Sequence, residues 1–172
     1  MSAYGMGQKA SLHVIEAEDL LKRHKDVYRT FWRWADQNVN AGLAGEELHT
    51  VFGWKIRAGK GRDVKENSFL NWPMQANGAE MLRLACIALE EEGIGICAPV
   101  HDAILIEAPL EKIDQHVAYA TSLMRRASEW VLGCGRQCHV DATIVRCPDR
   151  YMDGRGASLW SFIQSRLDKE AA

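Results

Sequence analysis

Ile94-Gly-Ile-Cys-Ala-Pro-Val-His-Asp-Ala-Ile-Leu-Ile-Glu-Ala108 holds two apolar runs that meet at His101-Asp102. Each run has strand length, and the polar pair between them predicts a buried β-hairpin with His101 and Asp102 at its turn. Strands joined so tightly must be antiparallel. Upstream, a long helix is expected from about Pro73 to Glu92, with Asn71 as N-cap, Pro73 in the first turn and Gly93 closing it. Downstream, Ile113, Val117, Ala120, Met124, Ala127 and Val131 recur at helical spacing and predict a helix over about Leu110–Leu132. His139–Arg146 reads as a third strand, and Ala157–Leu167 as an amphipathic helix with Trp160, Ile163 and Leu167 facing inward.

Nearer the N-terminus, a helix from about Gln8 to Arg23 aligns Val14, Ala17 and Leu21. A second, from about Asp26 to Asn40, aligns Val27, Phe31, Trp34, Ala35 and Val39, and Ala41-Gly42 supplies a stop. Leu48–Arg57 splits at Gly53 into two short β-favouring runs, a small hairpin, and Ala58–Asp63 is a polar, glycine-rich loop. The expected fold class is α+β, with helices packed on a small antiparallel sheet.

The length of 172 residues fits one domain or one large lobe. Apolar residues make up 47% of the chain, enough for a real core, and the net charge is −2. A chain without basic excess does not hold nucleic acid through bulk charge, so any DNA site must be local or shared with further sequence. No apolar run approaches the ~20 residues of a membrane helix. The opening Met-Ser-Ala-Tyr-Gly-Met-Gly has neither a basic n-region nor an apolar h-region, so a cytoplasmic location is expected. Five irregularly spaced cysteines fit reduced thiols.

Asp102 is the first candidate for chemistry. A carboxylate among Val100, Ile104, Leu105 and Ile106 is costly unless compensated. Hard Mg²⁺ is one compensation, and decoration of a turn, where aspartate is common, is the plain alternative. Asn71 and Gln75, four apart, share a helix face. Their amides could read acceptors in a minor groove, or merely cap the helix and meet solvent. Cys134, Cys138, His139 and Cys147 offer zinc ligands in type, but their spacing fits no common structural zinc pattern. An HD-type phosphohydrolase would need its His-Asp pair on helices, whereas here it lies between strand-like runs.

Asn71-Trp-Pro-Met-Gln-Ala-Asn-Gly-Ala-Glu80 followed by Pro99-Val-His-Asp-Ala-Ile-Leu105 resembles two consecutive blocks of the DNA polymerase I family (family A). These are an Asn-x-Pro-x-Gln helix start and the Val-His-Asp hairpin called motif C. Tyr4-Gly5-Met6 is similar to the end of motif B, His24-Lys-Asp-Val27 to the segment crossing from fingers to palm, and Pro148–Gly156 with Trp160 to the tail of phage-type members. The resemblance covers nearly the whole chain. It implies a DNA-directed DNA polymerase working in DNA replication on primer–template DNA and dNTPs. Residues 1–66 would be fingers-side helices and a small hairpin of a single C-terminal lobe, and residues 67–172 its palm portion. It implies that Asp102 ligates catalytic Mg²⁺, in a site whose two ions sit about 3.5–4 Å apart. His101 would contact the primer end, Asn71 and Gln75 the terminal base pair and template, and Tyr4 the nascent base pair.

The chain also departs from the family. Ala103 stands where glutamate often follows the motif C aspartate, and Asn67 where arginine often precedes the motif glutamine by eight positions. Residues 1–3 offer no motif A aspartate, nor the fingers lysine and arginine that hold a triphosphate. The expectation is a C-terminal polymerase portion, inactive alone, that needs an N-terminal partner polypeptide. The alternative is a non-catalytic truncated or split-polymerase subunit.

Overall fold

The computed structural model describes residues 2–57 and 66–170, with side chains to residue 168, in two compact units, Met1–Glu80 and Met81–Ala172. The glycine-rich loop expected at Ala58–Asp63 lies outside the described residues. The class is α+β: among the described residues, six helices accompany two separate two-stranded antiparallel sheets.

In the first unit, α1 (Ala3–Ala10) starts on Ser2, whose Oγ accepts from the Gly5 amide at 3.2 Å. It stops at Ser11, which adopts a left-handed φ of 55°. The chain restarts at α2 (Val14–Val27) through a capping box: His13 Nδ1 accepts from Ile15 N at 3.3 Å, and Glu16 Oε2 accepts from His13 N at 3.0 Å. The single helix expected over Gln8–Arg23 is therefore two. That break carries no usual mark in the sequence, because histidine is not among the common N-cap residues. Ala17 is fully buried, as its stripe implied.

Tyr28 alone separates α2 from α3 (Arg29–Leu43). Gly42 does not stop α3. It is buried within the helix, where a Cβ would drive into the ring of Phe69, and the turn with positive φ falls at Gly45 (86°). Gly42 is thus a packing glycine rather than a terminator. The expected small hairpin forms from β1 (Leu48–His49) and β2 (Lys55–Ile56), with Leu48 opposite Ile56 and Gly53 at φ 84°.

Helix α4 (Glu66–Glu91) begins earlier than expected and contains Pro73 in its interior. Asn71 is therefore not its N-cap. An interior proline costs about 3 kcal/mol because it lacks an N–H and crowds the carbonyl four residues back, here that of Phe69. The complete burial of Phe69 contributes about 1.5–3 kcal/mol, which offsets much of that cost and keeps the upstream turn helical. Phe69, Pro73, Ala76 and Glu80 form the buried stripe.

In the second unit, α4 ends at Gly93, left-handed at φ 70°, and Ile94 N donates to Leu89 O at 2.9 Å. β3 (Gly95–Val100) and β4 (Ala103–Glu107) pair antiparallel around the two-residue turn, with an irregularity between Ile96 and Ala98. Leu89, Ile94, Ala120 and Leu123 are buried together, and Ala88, Ile96, Ile104 and Ile106 pack against them. The hairpin thus lies on the end of α4 and on α5 (Ile113–Leu132). It is buried on one face only, since alternate strand residues point opposite ways, and Val100 and Leu105 remain exposed.

Two expectations fail here. Residues 139–146 form no strand but an unpaired segment. It is anchored by Cys138 N donating to Ser128 Oγ at 2.8 Å and by Arg146 gripping both Asp114 oxygens at 2.6 and 2.7 Å. Pro99 and the irregularity beside Cys97 make β3 a poor edge for a third strand. Helix α6 (Ala157–Glu170) does form, but Trp160, Ile163 and Leu167 are exposed rather than inward-facing. Periodicity reports an apolar stripe, not what covers it.

Candidate active site

The hairpin places His101 and Asp102 side by side as the whole of a two-residue turn, closed by the Val100–Ala103 pair. Two-residue hairpin turns favour positive φ because that matches strand twist, and His101 supplies it at 57°. A non-glycine residue held left-handed costs about 1–2 kcal/mol. A histidine in a conformation that glycine adopts more easily is the kind of local cost that accumulates at functional sites.

Both side chains are exposed, and neither takes part in a hydrogen bond or ion pair among the described residues. This corrects one premise of the sequence reading: Asp102 projects from the tip into solvent and is not buried among its apolar neighbours. It needs no compensating cation for stability, and all of its acceptor capacity is available to a ligand.

Asn71 and Gln75 are exposed one turn apart on α4, opposite the buried stripe, so they do share a face. Asn77, two residues further on, was overlooked. Its Nδ2 donates to Pro73 O at 2.8 Å and its Oδ1 accepts from Val51 N at 3.1 Å, which ties the β1–β2 hairpin to the helix carrying Asn71 and Gln75. Thr50 adds a buried contact, donating from Oγ1 to Glu80 Oε1 at 2.7 Å. Within the Asn-x-Pro-x-Gln block, the polar residues at 77 and 80 were the available signal for this inward-facing network.

Tyr4 lies in α1, 63% exposed, its hydroxyl accepting from Gln8 Nε2 at 3.0 Å. The sequence-expected residues thus form local pairs. His101 and Asp102 belong to the second unit, whereas Tyr4, Asn71 and Gln75 belong to the first.

Among the described residues, no group of three or more His, Cys, Asp or Glu side chains is arranged to hold a metal ion. Asp102 suits a hard divalent cation as one ligand. No described helix is long and apolar enough to cross a membrane. A second exposed surface, basic and aromatic, lies where α2 meets α3. Its signal was the charge of one short window, hidden within the near-neutral total.

The family model described as DNA polymerase family A matches residues 1–144. Thermostable DNA polymerase I of Thermus aquaticus is 25% identical over 135 residues, covering 72% of this chain and 16% of that protein. DNA polymerase I of Aquifex aeolicus is 28% identical over 136 residues, covering 74% of this chain and 22% of that protein. DNA polymerase I of Deinococcus radiodurans is 25% identical over 135 residues, covering 72% of this chain and 14% of that protein. The chain therefore spans less than a quarter of the length of these relatives. Its fold is similar to the POL domain of Pol1 from M. smegmatis, solved in complex with DNA primer-template and dNTP, at a TM-score of 0.60 and 24% identity over 73% of this chain and 24% of that one.

Proposed function

We propose that this chain, which belongs to DNA polymerase family A, supplies the palm hairpin and part of the primer–template face of a template-directed DNA polymerase. The observation that carries this reading is the exposed His101-Asp102 pair on a strained two-residue turn, backed by a packed hairpin. A catalytic group is most useful on a rigid element, and the contacts of Ile96, Ile104 and Ile106 with the core make this hairpin one.

In this reading Asp102 offers its free carboxylate to Mg²⁺. When Mg²⁺ is bound, the chemistry supplied is stabilisation of the attacking and leaving oxygens of nucleotidyl transfer. His101 orients the primer end beside it. Asn71 and Gln75 present amides that can donate to the minor-groove acceptors common to base pairs, which suits contact without sequence choice. Tyr4 offers an exposed ring to the nascent base pair. Residues 1–66 act as the fingers side of one C-terminal lobe and residues 67–172 as its palm portion. Primer–template DNA and dNTP are the substrates, and the setting is cytoplasmic.

One carboxylate does not place two metals, and misplacement by about 1 Å can cost 100-fold in rate. A polymerase portion that is N-terminal to these blocks in the family's order supplies the second carboxylate and the cations that hold the triphosphate. The test is primer extension with Mg²⁺ and dNTPs, with and without that portion. The expected result is no extension by the 172-residue chain alone, extension on reconstitution, and loss of at least about 100-fold on Asp102→Asn. Activity that survives Asp102→Asn would refute the assignment of that residue. Failure of every reconstitution, with DNA binding retained, would favour a non-catalytic subunit.

A further inference from the structure

We infer that the junction of α2 and α3 is a docking platform for single-stranded nucleic acid. Between residues 22 and 33 the chain carries Lys22, Arg23, Lys25, Arg29 and Arg33 against Asp26 alone, a net of +4. With 21 cationic and 23 acidic residues in all, the remainder holds 16 against 22, a net of −6. Positive charge is therefore concentrated on one short stretch of an otherwise acidic chain, the local footprint expected of a polyanion site.

The same stretch holds exposed aromatic rings, fixed by one another. The His24 ring lies 4.7 Å from Tyr28 and 5.9 Å from Trp32, and Trp32 Nε1 donates to His24 Nδ1 at 3.1 Å. Phe31 meets Trp32 edge-on at 5.5 Å, and the Lys25 ammonium sits 5.0 Å over the Trp32 ring. Despite these contacts Tyr28 is 53% and Phe31 40% exposed. Rings held rigid yet left in water are suited to stacking, because little side-chain entropy remains to be lost when a base lands on them. Cations of the same stretch can meet the phosphates of a strand that stacks there. Arg23 is partly committed to Asp19 at 2.8 Å and Lys25 to the Trp32 ring, which leaves Lys22, Arg29 and Arg33 as the exposed cations of the stretch.

Charge favours a polyanion over a neutral protein surface, and the rings select among polyanions. A duplex hides its base faces, whereas a single strand can splay them onto Tyr28 and Phe31. The inference deepens the DNA-polymerase reading, but its geometry belongs wholly to α2 and α3. A binding assay without catalysis therefore separates its failure from the failure of that reading.

The assay is fluorescence anisotropy of the full chain with a labelled oligothymidylate of about 12 nucleotides, within the span of roughly 4–16 nucleotides typical of stacking grooves. An abasic strand of equal charge and a duplex of equal length are the comparisons. The expected order is oligothymidylate first, with the abasic strand about tenfold weaker. Tyr28→Leu with Phe31→Leu, which keeps apolar bulk but removes the ring faces, should bring oligothymidylate down to the abasic value. Tyr28→Trp should preserve it. Arg29→Gln with Arg33→Gln should weaken both strands and reduce the slope of log affinity against log salt by about 1.4. Equal binding of abasic strand and oligothymidylate, preference for the duplex, no single-strand binding at low salt, or indifference to the ring substitutions with helix content retained would each overturn the inference.

Discussion

Gly42→Ala sets two opposing terms against each other at the point where α4 is anchored. Alanine is better than glycine inside a helix by about 1 kcal/mol, and Gly42 lies within α3. Considered alone, that term makes the substitution stabilising. The structure adds a clash. A Cβ at position 42 would lie too close to three atoms of the Phe69 ring, including Cγ at its root. Spinning the ring does not move Cγ, and Phe69 is fully buried, so relief requires a new rotamer or a backbone shift. Overpacking of this kind costs about 1–3 kcal/mol, and contact at the ring root places it near the upper end. The net expectation is destabilisation by about 2 kcal/mol. Gly78→Ala is the internal control: it too lies within a helix, α4, but its Cβ would meet nothing within 4 Å. It should stabilise by up to about 1 kcal/mol. Urea unfolding followed by circular dichroism reads both, with unchanged slopes confirming a shift in stability rather than in denatured-state compactness. If Gly42→Ala stabilises as much as Gly78→Ala, the packing of α3 on α4 is not as described. The consequence reaches the candidate site, because Phe69 precedes Asn71 by only two residues.

Three other outcomes follow from local physics. His101→Gly should be more stable than His101→Ala by about 1 kcal/mol, because only glycine is free of the left-handed penalty at φ 57°; a more stable alanine variant in urea unfolding would show that the turn is unstrained. Asp153, held down by hydrogen bonds from the Arg155 side chain and backbone and by its charge, should titrate at about 2 instead of 3.8 by NMR. Because its folded pKa is the lower one, whatever the pair adds to the turn before α6 is complete above pH 3.8 and is lost as pH falls through about 2; a normal titration would refute the pairing. Burial, and secondarily Glu90, raises the Cys86 thiol, so at mildly alkaline pH iodoacetamide should label Cys86 well after the exposed Cys97, Cys134, Cys138 and Cys147; equal rates, read by peptide mass spectrometry, would contradict its burial.

What the sequence made legible follows from what periodicity encodes. The β3–β4 hairpin and α5 were readable because Ile96, Ile104 and Ile106 on one side and Ala120, Ala127 and Val131 on the other repeat at the spacings of a strand face and a helix face. The errors cluster at residues read as punctuation. Pro73, Asn71 and Gly42 are the usual marks of a helix end, yet each lies inside a helix because tertiary contacts around Phe69 outweigh local preference. Residues 139–146 kept extended-chain composition without a partner edge, and α6 kept its apolar stripe without a cover among the described residues. A pattern records what a segment could bury or pair, and only the fold decides whether it does.

The candidate site is the part least recorded by pattern, for a physical reason. Asp102, His101, Asn71, Gln75 and Tyr4 are all exposed, and exposed polar groups leave no trace in periodicity. Composition and spacing allowed each a bland role, and it was the joint order of three short blocks that singled them out. What the structure adds is independent of that order. A turn residue with little reason to be other than glycine is a histidine in a left-handed conformation, and its neighbour is a carboxylate with no partner among the described residues. A surface loop selected only for stability would favour glycine at position 101. A costlier residue at position 101, on a hairpin fixed by a packed core, suits a site that values position over local stability.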